Sequence, residues 1–581
     1  MKSSFFTKLI LIFVFISAFL LLIFSAKADS VTTDEGVHLF VGYTYLTKGD
    51  FRFDPEHPPL LKELAATSLV LRDDLKTSMD GFYDKAANFY YDSWQEARIL
   101  SQDFLFNQGK NADDANKLIF FGRLPFIFLT LILGVAVYWW TKKLYGQIAG
   151  VFSAFLVLFL PSILAHGHLI NTDLGLTLFI FAAVYFWTRF LESASRRTTW
   201  LYFILSGLFV GLALSSKFTA VFILPILFIL GLLKIFIFNG LKNWLKMIGG
   251  FLGVIIFGFI IVWASYGFSI KVPPPPIDSL SANINLWTSF HVPGSFDKLF
   301  EKIRPIMFPA DFYKGLFLVS RHGLGGHGSF LLGQTSNTGW WYYFPVAIFY
   351  KTPIPLFIFL ILSIVFWRKL KAKESFDELT LVLTPVIFLL LSMVSKADLG
   401  VRHILPIFPF LAVLASRSIN LIDFKSILRI ITAYTLKIQS VHQLVKLFSI
   451  SGFLLLILWY LYSSVASYPN YLAYFNELAG GPNGGYKILV DSNLDWGQDI
   501  FRIKKYLNEH QISDGYILYP WNGDQALEYY GINLKPFPWQ DQTIKGHVVV
   551  SATYYQLADL HWLDKFPREQ ITPGVFIFDL K

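Results

Sequence analysis

Four carboxylates, two strong cations and two histidines stand at the ends of this chain's apolar runs or in the first loop between them: Asp34 and Glu35, Glu56 and His57, Asp173, Lys217, and Arg402 with His403. A carboxylate can take a proton from an incoming nucleophile, and arginine or lysine can neutralise a departing phosphate. Histidine beside an acid can also hold a divalent cation, hard if the ligands are oxygens and zinc-like if imidazole joins. The spacing here fits no strict metal motif. Each group also has a plain structural reading. Asp34 could be a solvated acid or a helix cap, and Glu56 before His57-Pro58-Pro59 a turn residue. Asp173 after Asn171-Thr172 suits a helix N-terminus, and Lys217 could snorkel to headgroups. Arg402 and His403 could anchor a span end, and RHGLGGHGS (Arg321–Ser329) could be a flexible loop. The joint pattern favours chemistry, because ionisable groups at membrane depth usually mark function.

The elements that must position these groups are apolar. Of 581 residues, 54% are hydrophobic and only 15% charged, against about 25% charged in a soluble domain. The chain therefore reads as a polytopic α-helical membrane protein with about eleven spans, counted by length and periodicity. The runs are Leu9–Phe24, Leu118–Trp140, Ile148–Leu164, Leu174–Trp187, Trp200–Leu214, Phe218–Phe238, Met247–Phe268, Trp341–Trp367, Leu379–Val394, His403–Ala415 and Phe448–Val465. Ser215-Ser216-Lys217 is read as a tight hairpin tip within Trp200–Phe238, which is long enough as helix for two crossings. The first run precedes Ala26-Lys27-Ala28, so an anchor and a cleaved signal peptide both fit; an anchor suits a chain embedded throughout.

Charge orients the spans. The net charge of +9 sits in short loops, where it reports topology and contact with anionic lipid rather than with nucleic acid. With a cytoplasmic N-terminus, every inside loop is basic: Lys142 and Lys143; Arg189, Arg196 and Arg197; Lys234, Lys242 and Lys246; Arg368 to Lys373; and Arg417 to Lys446. Ser418–Leu447 reads as an inside interfacial helix. The long loops then fall outside, at 25–117 and 269–340, the latter opening on VPPPP (Val272–Pro276), a stiff turn. Residues 1–465 make the membrane domain. The tail, 466–581, has strand-like YKILV, GHVVVSA and GVFIFDL and reads as a small extracytoplasmic α/β domain. With no cysteine in the chain, disulfides and thiolate metal sites are excluded.

Several motifs together carry a resemblance. They are the Asp34-Glu35 pair after the first span, HPPL, NTD after the third, GWWYYFPVAIFYKTPIPL, ADLGVRHILPIFPF and YPNYLAYFNELAGGPNGGYKILVDSNLDWGQD. In this order they resemble bacterial GT-C glycosyltransferases, of the dolichyl-phosphate-mannose–protein mannosyltransferase-like kind (glycosyltransferase family 39) that includes aminoarabinose transferases. The resemblance covers most of the membrane part and the start of the tail. It implies inverting transfer of one sugar from a polyprenyl-phosphate donor to a protein, lipid or glycan acceptor, on the outer face of the cell's plasma or inner membrane. It implies Asp34 as base, with Glu35 shaping the site. It implies Glu56 and Asp173 as the positions matching a divalent metal, of unspecified identity and without a required catalytic role. His57 stands where some relatives carry lysine. Lys217, Arg402 and His403, with His57, are the candidates for the donor phosphate. SNLDWGQD (Ser492–Asp499) reads either as an acceptor contact or as a turn closing onto the membrane domain. Two other functions stay open: a lipid-linked sugar transporter or flippase, though no clear internal repeat is present, and a scaffold, which would not need acids and bases at so many span ends.

Overall fold

The computed structural model describes residues 2–71, 94–107, 113–239, 243–270, 309–370, 372, 375–422, 441–519, 523–539 and 543–580. The VPPPP turn, most of the early part of loop 269–340 and the middle of segment 418–447 lie outside the described residues.

A helix satisfies its backbone hydrogen bonds internally, so apolar runs cross a bilayer in that form. Among the described residues, nine helices are long and apolar enough to cross, or up to eleven if each of two bent pairs is one span. In chain order the helices begin with α1 (Lys2–Ala28), α2 (Thr33–Lys48), α3 (Leu60–Val70), α4 (Trp94–Gln102) and α5 (Asp113–Tyr145). They continue with α6 (Gln147–Leu158), α7 (Pro161–Gly167), α8 (Thr172–Glu192), α9 (Arg196–Leu214), α10 (Ile223–Leu233) and α11 (Trp244–Ser265). After α12 (Ala310–Gly325) come a hairpin of β1 (Ser329–Leu331) and β2 (Gln334–Ser336), then α13 (Tyr343–Lys351), α14 (Ile354–Val365), α15 (Trp367–Leu370) and α16 (Ser375–Ser392). The last two membrane elements are a 3-10 turn Val401–Ile407 leading into α17 (Phe408–Ser416), and α18 (Val441–Val465).

Two runs that read as straight spans are broken. The segment from Ile148 splits into α6 and α7, bent by 63°, and Trp341–Trp367 contains α13 and α14, bent by 104°. Proline is the cause in both. Pro161 opens α7 and Pro353 caps α14, and the missing N–H and ring of proline stop a helix from continuing through it. The end of the supposed interfacial segment, from Val441, belongs to the α18 helix instead. The described residues of the first loop are largely helical, as α2 to α4.

Close crossings hold the bundle. On α9, Gly211 lies against α11 so tightly that a Cβ would stand 2.7 Å from the Gly258 carbonyl oxygen, the small-residue packing that membrane helices favour. The tail adds α19 (Ile500–Glu509), β3 (Gly515–Leu518), α20 (Gly523–Tyr529), β4 (Lys535–Pro536), β5 (Gly546–Ser551), α21 (Ala552–Leu557), β6 (Arg568–Thr572) and β7 (Val575–Leu580). Its five strands form one mixed sheet in the order β4-β3-β5-β7-β6, with β3 parallel to both neighbours and β7 antiparallel to both of its own. The strand β5 is buried on both faces, since the consecutive Val548, Val549 and Val550, which point alternately to opposite faces, are all wholly buried, as is Phe578 of β7.

Candidate active site

The site starts at the N-terminus of α2. Thr32 caps the helix and Glu35 closes a capping box, accepting the Thr32 N–H at 2.8 Å. Consecutive residues on a helix point about 100° apart, so Glu35 and its neighbour Asp34 face different partners. Glu35 is wholly buried. Arg123 of α5 donates to Oε1 at 2.7 Å and Oε2 at 2.6 Å, and the Ile170 N–H donates to Oε1 at 2.9 Å. Arg123 also donates to the carbonyls of Ala26, Asp29 and Ser30. Glu35 thus ties α2, α5 and the start of α8 together and is turned away from the other candidates. Asp34 faces the opposite way and accepts Arg402 Nη1 at 3.0 Å.

Asp173 joins from the first turn of α8, whose N-cap is Asn171, accepting the Asp173 and Leu174 N–H groups. Lys217, in the turn between α9 and the following 3-10 segment, donates to Asp173 Oδ1 at 2.5 Å. Arg402 Nη1 lies 4.0 Å from Asp173 Oδ2. The same guanidinium stacks on Trp496, its carbon 4.1 Å from the ring centroid. Four ends of chain therefore meet: α2, α8, the α9–α10 turn and the 3-10 turn at Val401. Several buried polar atoms around them have no hydrogen-bond partner: Arg402 Nε, His403 Nε2, Asp173 Oδ2, His57 Nδ1 and His166 Nδ1. Buried polar atoms are seldom left so; the nitrogens among them, beside two cations, suit an anionic ligand, while Asp173 Oδ2 faces Arg402.

Behind this lies a second polar cluster. Lys62 Nζ donates to Asp54 Oδ2 at 3.1 Å, the Asp54 carbonyl at 2.7 Å and Tyr45 Oη at 3.1 Å. His38 Nδ1 stands 3.6 Å from Asp54 Oδ2, and its ring meets His57 edge-on at 5.5 Å. Burial disfavours a charged Asp54, but Lys62 and the nearby imidazoles outweigh it and hold the carboxyl below its usual range. Burial pushes His57 well below the ordinary histidine value against the pull of Asp54. Burial thus favours the neutral imidazole at His57.

Glu56 is partly buried in the turn before the two prolines. Among the described residues no three His, Asp or Glu side chains gather closely enough to hold a metal ion. Asp173 Oδ1 is also engaged by an ammonium. The residues present do not fit a divalent cation held by Glu56 and Asp173.

Three participants were not named from the sequence: Trp496, Arg123 and Lys62. Trp496 lies under Arg402, and its carbonyl accepts the Thr33 N–H at 3.0 Å. Around it SNLDWGQD is a buried turn: Asn493 Oδ1 accepts the Val401 N–H at 2.9 Å, and Lys351 donates to the Asn493 carbonyl at 2.5 Å. Nothing local in the sequence marks Arg123 or Lys62, since no local pattern reveals a buried partner 88 residues away, as in the Arg123–Glu35 pair. Asp398, in ADLGVRH, accepts the Trp340 N–H at 2.6 Å through Oδ2, and its Oδ1 is buried with no hydrogen-bond partner.

Residues 115–266 match the family model described as dolichyl-phosphate-mannose-protein mannosyltransferase. That stretch holds Asp173 and Lys217, and there the resemblance read from the motifs is borne out. The match covers about a quarter of the chain, and the class that the apolar helices define is that of a multi-pass membrane protein. Among solved structures, the chain is similar to ArnT from Cupriavidus metallidurans in the apo state (13% identity, 100% of this chain and 99% of that one, TM-score 0.46). It is also similar to that protein bound to undecaprenyl phosphate (13% identity, 98% of each chain, TM-score 0.44). A third is the oligosaccharyltransferase AglB from Archaeoglobus fulgidus with an inhibitory peptide and a dolichol-phosphate (14% identity, 98% and 74% covered, TM-score 0.41). No curated protein sequence matches the chain.

Proposed function

We propose that the protein transfers one sugar from a polyprenyl-phosphate donor to a protein, lipid or glycan acceptor, with inversion, at the outer face of the plasma or inner membrane. The observation that carries this reading is Arg402 shared between Asp34 and Asp173 beside Lys217. Asp34 takes the proton as the acceptor hydroxyl attacks the anomeric carbon. The sugar–phosphate bond breaks, and the polyprenyl phosphate leaves against Lys217 and Arg402, with His57 and His403 as further hydrogen-bonding groups. In the free protein Arg402 binds Asp34; the donor phosphate competes for that guanidinium and releases the carboxylate to act as base. No covalent sugar–enzyme intermediate is required. The tail, from 466, shares the catalytic side of the membrane and closes the site through Trp496. No step needs a metal.

The test uses the purified full chain with a radiolabelled polyprenyl-phosphate sugar, reading free polyprenyl phosphate. Wild type releases it, and Asp34→Asn, folded, loses at least about a hundredfold in rate, the scale of a general base. A folded Asp34→Asn protein working at the normal rate refutes the role. Movement of intact donor lipid without release would make the protein a flippase. Chelation leaves the rate unchanged; loss of activity in chelator, restored by a divalent cation, would overturn the metal-free reading.

A further inference from the structure

At the opposite end of α8 the structure holds a cavity of about 780 Å³ between α8, α9, α10 and α11, lined among others by Glu192, Ser193, Arg196, Trp200, Lys234 and Lys246. Asp173 and Glu192 are nineteen residues apart on one helix, about 28 Å at 1.5 Å per residue, so this cavity is remote from the candidate active site. We infer that it binds the headgroup of an anionic phospholipid.

Charge points to an anion. The one lining carboxylate, Glu192, is already matched twice, by Arg189 at 3.0 Å and by Lys234 at 3.1 Å. Arg196 and Lys246 have no carboxylate within ion-pair distance among the described residues. Lys246 Nζ donates to the Ser193 carbonyl at 2.8 Å, which leaves two of its three protons for a ligand. Its stem lies against Phe190, the ammonium 5.2 Å from the ring centroid, so the charge is held at the cavity instead of sweeping through solvent. Two unmatched cations around a polar cavity suit a phosphodiester.

The rim points to a lipid and not to a free phosphate. Trp200 is 56% exposed, Trp244 47% and Leu245 66%, and Leu201 beside them is exposed too. Tryptophan at the mouth and leucines beyond it are what a membrane interface and acyl chains contact. The headgroup would sit between Arg196 and Lys246, with its tails along the apolar surface of α9 and α11. Basic pockets between spans on the inner side are the usual form of such sites.

The full chain in nanodiscs of phosphatidylcholine, alone or with a minor fraction of phosphatidylglycerol, tests this by native mass spectrometry and thermal unfolding. Wild type retains phosphatidylglycerol and unfolds several degrees higher with it. The double variant Arg196→Gln/Lys246→Gln weakens that binding about thirtyfold, from about 1 kcal/mol per cation near an anionic surface, and loses the shift. Arg368→Gln/Lys369→Gln removes two charges elsewhere and keeps it. If the double variant does not fold, Arg196→Gln alone, whose side chain is exposed, still weakens binding. The inference is overturned if phosphatidylcholine stabilises equally, if the control pair loses as much as the cavity variants, or if inorganic phosphate alone reproduces the shift.

Discussion

Asp34 and Glu35 are adjacent and chemically alike, yet their surroundings assign them opposite work. Every acceptor direction of Glu35 is used by Arg123, Ile170 and Thr32, whereas Asp34 holds one exchangeable arginine contact. Glu35→Gln breaks a buried ion pair, which costs about 3–5 kcal/mol. It is expected to lower the unfolding temperature and the yield of folded protein, while Asp34→Asn leaves both near wild type; comparing the two melting curves checks this. A second residue-scale prediction concerns pH. Burial, with the nearby Asp499 carboxylate, pushes Asp495 from its ordinary 3.8 up to about 7. Between those values the folded state holds a proton that the unfolded state has lost, so stability falls as pH rises through the window and is flat above it. Asp495→Asn should flatten that slope. Unfolding temperatures across the range measure it, and an unchanged slope would show that another group is responsible.

The elements work as brackets for these side chains. α2 carries Asp34 at its start and His38 one turn later, and α3 carries Lys62; the two helices pack so closely that no side chain fits at Gly42. A Cβ there would lie 1.9 Å from the Lys62 carbonyl oxygen and 3.1 Å from Ala66 Cβ. Backbone cannot yield as a flexible side chain can. Gly42→Ala must therefore push α3 away, misplacing Lys62 and the His57 turn behind the site, and is expected to destabilise by about 1–3 kcal/mol as overpacking does. Loss of transfer activity out of proportion to the change in unfolding temperature would show that the helix spacing serves the site. The bends at Pro161 and Pro353 do similar positioning: α7 carries His166 toward Trp496, their ring centroids 6.1 Å apart.

Across the whole molecule, the tail and the membrane bundle are joined by side-chain contacts around Asp29. Its carboxylate is bound by His168 at 2.9 Å and by Arg502 of α19 at 2.7 Å, and the Ser30 hydroxyl donates to the Gly497 carbonyl at 2.9 Å. Arg502→Ala leaves Asp29 and Asp499 buried without their cation, so unfolding should come several degrees earlier and transfer should weaken although Arg502 lies outside the cluster around Asp34. If Arg502→Ala melts and transfers as wild type, the tail is not coupled to the site through this pair. The sequence alone determined the membrane character, the apolar runs and the residue types at their ends, because hydropathy and helix length are local properties that lipid enforces on each segment separately. In the tail GHVVVSA and GVFIFDL were legible as strands β5 and β7, whereas YKILV begins in a 3-10 turn (Pro482–Lys487) and forms no strand. Which acid faces a cation, that burial favours a neutral His57, that Trp496 lies under Arg402, and that two spans are bent depended on the tertiary structure. Those outcomes are set by burial and by partners far away in the chain, such as Arg402 and Asp34, 368 residues apart, and no local pattern encodes a distance of that kind.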